Sequence, residues 1–505
     1  MKLCLAFVLA ATLGVAWQFG KATAAAGSVR TPAASIAPLR QIEIAELHRT
    51  LSPAVLRSLD DAPRLAPRAA LALGRIGNPA AAAPLRAHLA AHDAALRAMS
   101  AYALGLLADG TALRAECTAL RSDSNSAVRY AAADAIGRIV ERTPALGGLP
   151  VATDLEIATR VDRDPVVRAH AVTQLDAFAH ARYAGATARA LEGIVRKERD
   201  RTVRWHAMWT IYRAYATRAD ASFLRSALRD PEELVRLEAV RAWGRRRDGD
   251  AATFRRIAMG DPSWRVQLEA LETLRRLRHQ APTQHQTAIP SFVHLPPLPH
   301  RPDAAATRRP LSLPQLAAGS AAPQRAPLRA PYPATIPLPP FVAPTDARMM
   351  NGGLPGRHPR VLLRTTKGDV VLRLYPEWAP STVANFLSLA ARGYYDHNRW
   401  FRIVPDFVDQ SGDAHDNADD EPGFTIPAEE NPIEQRGGII AMGLDYAHGH
   451  ALRDSAGTQF YLTLSPQLHL DRAFTVFGEV ERGTAVLAHL VESDRIIDVR
   501  RIAGG

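Results

Sequence analysis

Seven copies of one short pattern run through the first half of this 505-residue chain, and they restrict its fold more than any other feature. An acidic residue, often followed by proline, leads into a hydrophobic–arginine pair that opens an alanine-rich run. The copies are plainest at Asp164-Pro165-Val166-Val167-Arg168-Ala169 and Asp200-Arg201-Thr202-Val203-Arg204-Trp205. Asp230-Pro231 leads likewise to Val235-Arg236-Leu237, and Asp261-Pro262 to Trp264-Arg265-Val266; earlier copies centre on Arg68, Arg97 and Arg129. These arginines follow one another at 29, 32, 39, 36, 32 and 29 residues. Asp-Pro starts a helix, because Asp accepts hydrogen bonds from free backbone N–H groups and Pro presets φ for the first turn. Apolar residues then recur at helical spacing, as at Ala69, Ala72, Leu73 and Ile76. A glycine often follows, at Gly74, Gly105, Gly137 and Gly244. One such helix pair cannot bury its apolar face alone, so neighbours must stack into a solenoid over residues 46–278. The Asp four residues before Arg is placed to tie adjacent copies in a ladder of ion pairs.

This pattern resembles the HEAT repeat family, in a form shorter than the usual period of roughly 40 residues. The resemblance implies a protein-binding scaffold and hence a protein partner, which the sequence does not name. Trp205, Trp209 and Tyr212 lie on one helix at spacings of four and three, which suits core packing or a cap on the groove better than an aromatic binding strip.

The formal net charge of +11 is unevenly spread. Residues 358–505 hold 14 Lys and Arg against 21 Asp and Glu, a net of −7, so the remainder carries +18. Nearly all of that cation is Arg, since Lys occurs only at 2, 21, 197 and 367. Such a half suits nucleic acid, anionic lipid or an acidic protein. No base-reading or stacking motif accompanies it, however, and salt-bridging Arg on solvated helix faces accounts for the charge. No nucleic-acid partner is expected.

The N-terminus reads as an export signal over residues 1–26. Lys2 is a cationic start, Leu3 to Trp17 is an almost unbroken apolar run, and Ala22-Thr23-Ala24 or Ala24-Ala25-Ala26 offers small residues for cleavage. The run is shorter than the roughly 20 residues of a spanning helix. The expected location is the periplasm of a bacterium, or secretion; an uncleaved membrane anchor is the alternative. Cleavage removes Cys4 and leaves Cys117 alone, a small buried helix residue with no disulfide partner.

Residues 279–357 read as a linker. Positions 281–360 hold 18 of the 37 prolines, and runs such as Leu295-Pro296-Pro297-Leu298-Pro299 favour extended polyproline II, a semi-rigid spacer. A sharper reading makes these prolines a tethered ligand of the domain that follows.

That domain, 358–505, opens with alternating strands: Val361, Leu363 and Thr365, a turn at Lys367-Gly368-Asp369, then Val370, Leu372 and Leu374. A helix from Pro380 shows Val383, Phe386, Leu387 and Ala390 on one face and stops at Gly393. Strand-like runs follow at Trp400–Val404, Ile439–Met442, Gln459–Leu464 and Val476–Val480, and a second helix at Thr484–Val491. Many short strands with two helices suggest a closed barrel capped by helices.

The run Phe401-Arg402-Ile403-Val404-Pro405-Asp406-Phe407-Val408-Asp409-Gln410-Ser411-Gly412-Asp413 is similar to the active-site strand of the cyclophilins, usually FHRxxxxFxxQGGD. Gly457-Thr458-Gln459-Phe460-Tyr461-Leu462, His469-Leu470-Asp471 and Val476-Phe477-Gly478-Glu479-Val480 agree in order and spacing, as does Ala379 to Phe386. The resemblance spans residues 360–502. It implies an eight-stranded closed barrel behind an α-α solenoid, peptidyl-prolyl cis–trans isomerase activity, proline-containing polypeptide substrates and no cofactor.

The resemblance places Arg402 as the catalytic arginine. It places Phe407, Val408, Tyr461 and Leu470 in the proline-ring pocket, and Gln410 as the glutamine that bonds the substrate backbone and steadies the arginine. Gln459 matches a second groove glutamine. Four positions depart from the pattern: Phe401 replaces the usual His, His469 stands where many members have the Trp linked to cyclosporin binding, Phe474 replaces a His or Tyr, and Tyr461 adds a hydroxyl to a pocket normally closed by Phe. These imply altered substrate preference, and the long loop Gly443–Ala456 is expected to border the groove. The expected function is an exported isomerase assisting protein folding, with the repeats as its protein-binding module; the alternative is a catalytically weak scaffold for proline-containing segments. Asp413, Asp416, Asp419, Asp420 and Glu421 lack the spacing of a calcium loop, and His448-Gly449-His450 offers two His without a further ligand, so neither is read as a metal site.

Overall fold

The computed structural model describes residues 33–246, 250–279, 358–413, 424–447 and 450–502. The expected signal, the linker from residue 280, the acidic loop beyond Asp413, and His448 with Gly449 lie outside the described residues. The chain divides at Arg40, and the unit from Gln41 onward contains the helical repeats and the barrel together.

The repeats are seven helix pairs among the described residues, from Pro53–Asp60 with Ala66–Ile76 to Ala251–Gly260 with Trp264–His279. Each repeat arginine sits in the second helix of its pair. The second helices stack directly on one another, and the glycines explain how: a β-carbon at Gly74 would stand 2.7 Å from Ala103 Cα, and one at Gly105 would stand 2.7 Å from Ala135 Cα. These glycines lie inside helices and admit the next helix at backbone contact.

The expected ladder exists; Asp261, four residues before Arg265, is an acceptor as expected, while the other four rungs use a different acid. Asp93, Asp164 and Asp200, four residues before their arginines, cap their own helices through Ala95, Val166 and Thr202 N–H. The arginines reach forward instead: Arg97 to Asp123, Arg129 to Asp162, Arg168 to Glu198, Arg204 to Asp230 and Arg236 to Asp261. Arg129, Arg168 and Arg236 also donate to the carbonyls of Asp123, Asp162 and Asp230 in their own turns. Each rung therefore joins two inter-helix turns. Trp205, Trp209 and Tyr212 are buried, as core packing requires, and Cys117 is buried in its helix.

The C-terminal domain is one eight-stranded antiparallel sheet curled on itself. Its strands are β1 (Arg360–Thr365), β2 (Gly368–Leu374), β3 (Arg402–Val404), β4 (Val408–Ser411), β5 (Ile439–Met442), β8 (Phe460–Thr463), β9 (Val476–Arg482) and β10 (Ile496–Ile502). A separate small hairpin pairs β6 (Tyr446–Ala447) with β7 (His450–Ala451). The sheet order is β10-β1-β2-β9-β5-β8-β4-β3. The two edges meet just before β3, where Arg399 bridges Arg495 and Trp400 N–H donates to Asp494 O at 3.1 Å. Phe386 of helix Pro380–Ala391 packs on Phe460 and Phe477 at the centre of the core. The second helix is one turn, Thr484–Leu487, shorter than its apolar spacing suggested.

The second-helix row of the repeats carries contacts to the barrel. The barrel segment 428–436 runs across it. Arg75 donates to the carbonyls of Trp378, Glu429 and Glu430 at 2.7, 3.2 and 2.8 Å. Tyr130 Oη donates to Pro432 O at 3.2 Å, Arg138 pairs with Glu430 at 3.2 Å, and His206 Nε2 lies 3.2 Å from Glu434. Arg472 of the barrel pairs with Asp134 at 2.9 Å, and Arg49 grips both Ala428 O and Asp454 at 2.8 Å. Segment 428–436 belongs to none of the barrel's strands, so its carbonyls need donors from elsewhere, and repeat arginines supply several of them. Glu429 also caps helix Pro380–Ala391 by accepting from Ser381 and Thr382 N–H, which holds the segment from the barrel side.

Candidate active site

Strands β3 and β4 form a tight hairpin in which Arg402 lies opposite Gln410. Pairing of β4 with β8 then sets Gln410 opposite Tyr461, and pairing of β5 with β8 brings Ala441 to the other side of Tyr461. Side chains alternate along a strand. Ile403 therefore points into the core while Arg402 faces outward and is half-buried. Arg402 Nη1 donates to Gln410 Oε1 at 3.2 Å, and Gln410 Nε2 donates to Gln459 Oε1 at 3.0 Å. This relay uses both ends of the Gln410 amide and so fixes which way it points. The Arg402 guanidinium carbon stands 5.3 Å from the centre of the Phe407 ring. Burial pulls the Arg402 pKa down from its usual value, with the Tyr446 and Tyr461 hydroxyls opposing.

The predicted pocket residues converge beside this relay. Val408, Leu470, Tyr461 and Phe474 are buried, and Phe474 meets Tyr461 edge-on with ring centres 5.7 Å apart. Phe407 stacks on His469 at 5.6 Å and an interplanar angle of 19°. Phe401 is half-buried immediately before β3, one residue out of phase with Arg402. The Tyr461 hydroxyl does not enter the pocket: it donates to Gln435 Oε1 at 2.6 Å. Gln435 in turn donates to Leu470 O at 2.8 Å, so the solenoid-facing segment also braces a pocket wall. Burial raises the Tyr461 pKa well above its usual value, and the phenol stays a donor.

Several contributors were not visible in the sequence. Gly443, just after β5, leaves room for the glutamine relay, because a β-carbon there would stand 3.1 Å from Gln459 Cβ and 3.3 Å from Gln410 Nε2. Tyr446 of the long loop lies 6.5 Å from Phe474, ring centre to ring centre. The solenoid acts on the pocket too. Burial, and after it the cations of Arg213 and Arg241, push the His469 imidazole down to about 3, so the ring is neutral at ordinary pH. Neither Gln435 nor these arginines had a local signal, since each acts across hundreds of residues or through a loop.

The comparisons with known proteins fall on the same two regions. The family model for cyclophilin type peptidyl-prolyl cis-trans isomerase/CLD matches residues 360–501, and that for HEAT repeats matches residues 50–137. A peptidyl-prolyl cis-trans isomerase of Synechococcus elongatus is 36% identical over 143 residues, which is 28% of this chain and 94% of that protein. Peptidyl-prolyl cis-trans isomerase B of Bacillus subtilis is 38% identical over 133 residues, covering 26% of this chain and 89% of that protein. A crystal structure of a Cryptosporidium parvum cyclophilin type isomerase aligns with a TM-score of 0.28 and 23% identity over 29% of this chain and 99% of that one. The chain belongs to the cyclophilin-type peptidyl-prolyl cis–trans isomerases, its isomerase domain carried behind HEAT repeats.

Proposed function

We propose that the chain is an exported isomerase of X–Pro peptide bonds in polypeptide substrates, that it assists their folding, and that Arg402 is its catalytic residue. Rotation about a peptide bond faces a barrier of about 18–20 kcal/mol from C–N double-bond character. For X–Pro this means interconversion in roughly tens to hundreds of seconds, so a modest lowering of the barrier is useful. As the bond twists, the prolyl nitrogen regains a lone pair and accepts a hydrogen bond that the planar ground state does not. A fixed guanidinium supplies that donor without any bond being made or broken. The observation that carries this reading is the restraint of Arg402, which donates to Gln410 at 3.2 Å while its guanidinium carbon lies 5.3 Å from the Phe407 ring centre. Phe407, Val408, Tyr461, Leu470, Phe474 and His469 would hold the proline ring. Gln410, Gln459 and Phe401 would contact the flanking backbone. Export rests on Lys2, the apolar run Leu3 to Trp17 and the small residues at 22–26.

Arg402→Ala in the full chain is expected to lower kcat/KM for an X–Pro peptide by about 100-fold, as loss of one preorganised donor does elsewhere. If wild type and variant both match the uncatalysed rate, the enzyme reading fails. Peptide binding retained without turnover would then support the alternative, a scaffold for proline-containing segments. The departures Phe401, Tyr461 and Phe474 leave room for that alternative.

A further inference from the structure

The ladder of repeat arginines ends at Arg265, and its last rung differs from the others. Arg97 through Arg236 each reach the acid of the following repeat. No helix pair follows Trp264–His279 among the described residues. Arg265 pairs instead with Asp406 of the barrel, Nε to Oδ1 at 2.7 Å, off-line for a hydrogen bond, and with Glu233 at 2.7 Å. Its side chain is only 3% exposed, so the charge pair is largely out of water. Asp406 takes the place that the next repeat's acid would have held.

The position of Asp406 in the barrel gives this rung its consequence. The turn Val404-Pro405-Asp406-Phe407 closes the hairpin, with Phe407 N–H donating to Val404 O at 3.0 Å. Asp406 has φ of +58°, a left-handed conformation that strains a non-glycine residue. Its carbonyl is held by Ser465 Oγ and by Gln467 Nε2 at 2.5 and 2.9 Å. Its side chain is held by the solenoid. The next residue is Phe407, whose ring lies under Arg402 and against His469.

We propose that Arg265 is a positioning residue of the isomerase: through Asp406 it locks the strained hairpin turn, and so the solenoid sets the placement of Phe407 beneath Arg402. The proposal rests on the assignment of Arg402 and Phe407 to the active site. It makes the repeats a working part of the catalytic domain in addition to a scaffold. Misplacement by about 1 Å can cost a reaction up to roughly 100-fold, and a turn loosened at one end should cost part of that.

The test is a mutant cycle in the full chain, with kcat and KM measured well below the melting temperature. Arg265→Ala and Asp406→Asn are each expected to lower kcat/KM by about tenfold. The double variant should be no worse than the poorer single one, because both remove the same contact. Asn is nearly isosteric with Asp and tolerates positive φ, so Asp406→Asn keeps the test available if Arg265→Ala folds poorly. Arg265→Lys should recover most of the activity. Arg168→Ala breaks the rung to Glu198 in mid-solenoid, far from the hairpin, and should lower the melting temperature with kcat/KM unchanged. Wild-type kcat/KM in both Arg265→Ala and Asp406→Asn, with only the melting temperature lowered, would overturn the proposal. So would losses that multiply in the double variant. Failure of Arg402→Ala to affect the rate would instead overturn the active-site assignment, so the two failures are distinguishable.

Discussion

Replacing Arg75 by Ala should release the barrel from the repeats, and the cost can be worked from its contacts. The Arg75 side chain is fully buried. It spends Nη1 on Glu46 at 2.7 Å, Nη2 on the Trp378 and Glu429 carbonyls, and Nε on the Glu430 carbonyl. Arg68 holds the same Glu46 through its other carboxylate oxygen and acts on the barrel through the charge of Glu429 alone, whereas Arg75 hydrogen-bonds to it. Breaking a buried pair by removing one partner costs about 3–5 kcal/mol, which both Arg75→Ala and Arg68→Ala incur in part. Arg75→Ala additionally leaves three barrel carbonyls without this donor, at about 1 kcal/mol each or more. The difference between the two variants should therefore be about 3 kcal/mol, most of it from the interface carbonyls. Urea unfolding followed by circular dichroism and tryptophan fluorescence would measure it. We expect Arg75→Ala to separate one transition into two, with faster amide exchange at residues 428–436, while Arg68→Ala shifts the midpoint less. Equal midpoints for the two variants, with one transition each, would refute the reasoning.

Acid should attack the same centre. Burial alone would raise the Glu46 pKa, but Arg68 and Arg75 prevail and hold it at about 2, against an ordinary 4.5. A carboxyl with a depressed folded pKa is protonated first in the unfolded chain. Its contribution, on the order of 3 kcal/mol, is thus complete above about pH 4.5 and lost as pH falls toward 2. Melting temperatures between pH 5 and 2 should fall more steeply for wild type than for Glu46→Gln; parallel curves would count against the pairing. At the active site, Gly443→Ala should lower kcat/KM severalfold by crowding Gln410 and Gln459, with helix content unchanged. An unaltered rate would mean that the relay does not steady Arg402.

Much of this was legible in the chain because it is local. A helix pair is written in some thirty residues of apolar spacing with its cap, so the repeats could be read as a solenoid. The hairpin Arg402 to Gln410 is nine residues long, and the pocket residues sit in short ordered blocks, so their convergence followed from the resemblance. Even within the repeats, spacing gave the ladder only in part. Asp261, four before Arg265, meets Arg236 of the neighbouring copy, yet Asp164, four before Arg168, is spent on its own helix end. Strand β10 escaped notice because its residues Ile496 to Ile502 do not alternate cleanly between buried and exposed.

Only the tertiary structure could decide what the repeats hold. The sequence carries the arginines at their regular interval but does not say which acid each will meet, since an ion pair has no sequence period. Arg75 with Glu430, Arg138 with Glu430, and Arg265 with Asp406 join positions far apart in the chain across a packed interface. The barrel's segment 428–436 therefore lies against the repeats' second helices. The arginine that recurs through the repeats as a mark of stacking is, at its last copy, a contact of the hairpin that carries Arg402, because no further helix pair follows among the described residues to offer it an acid.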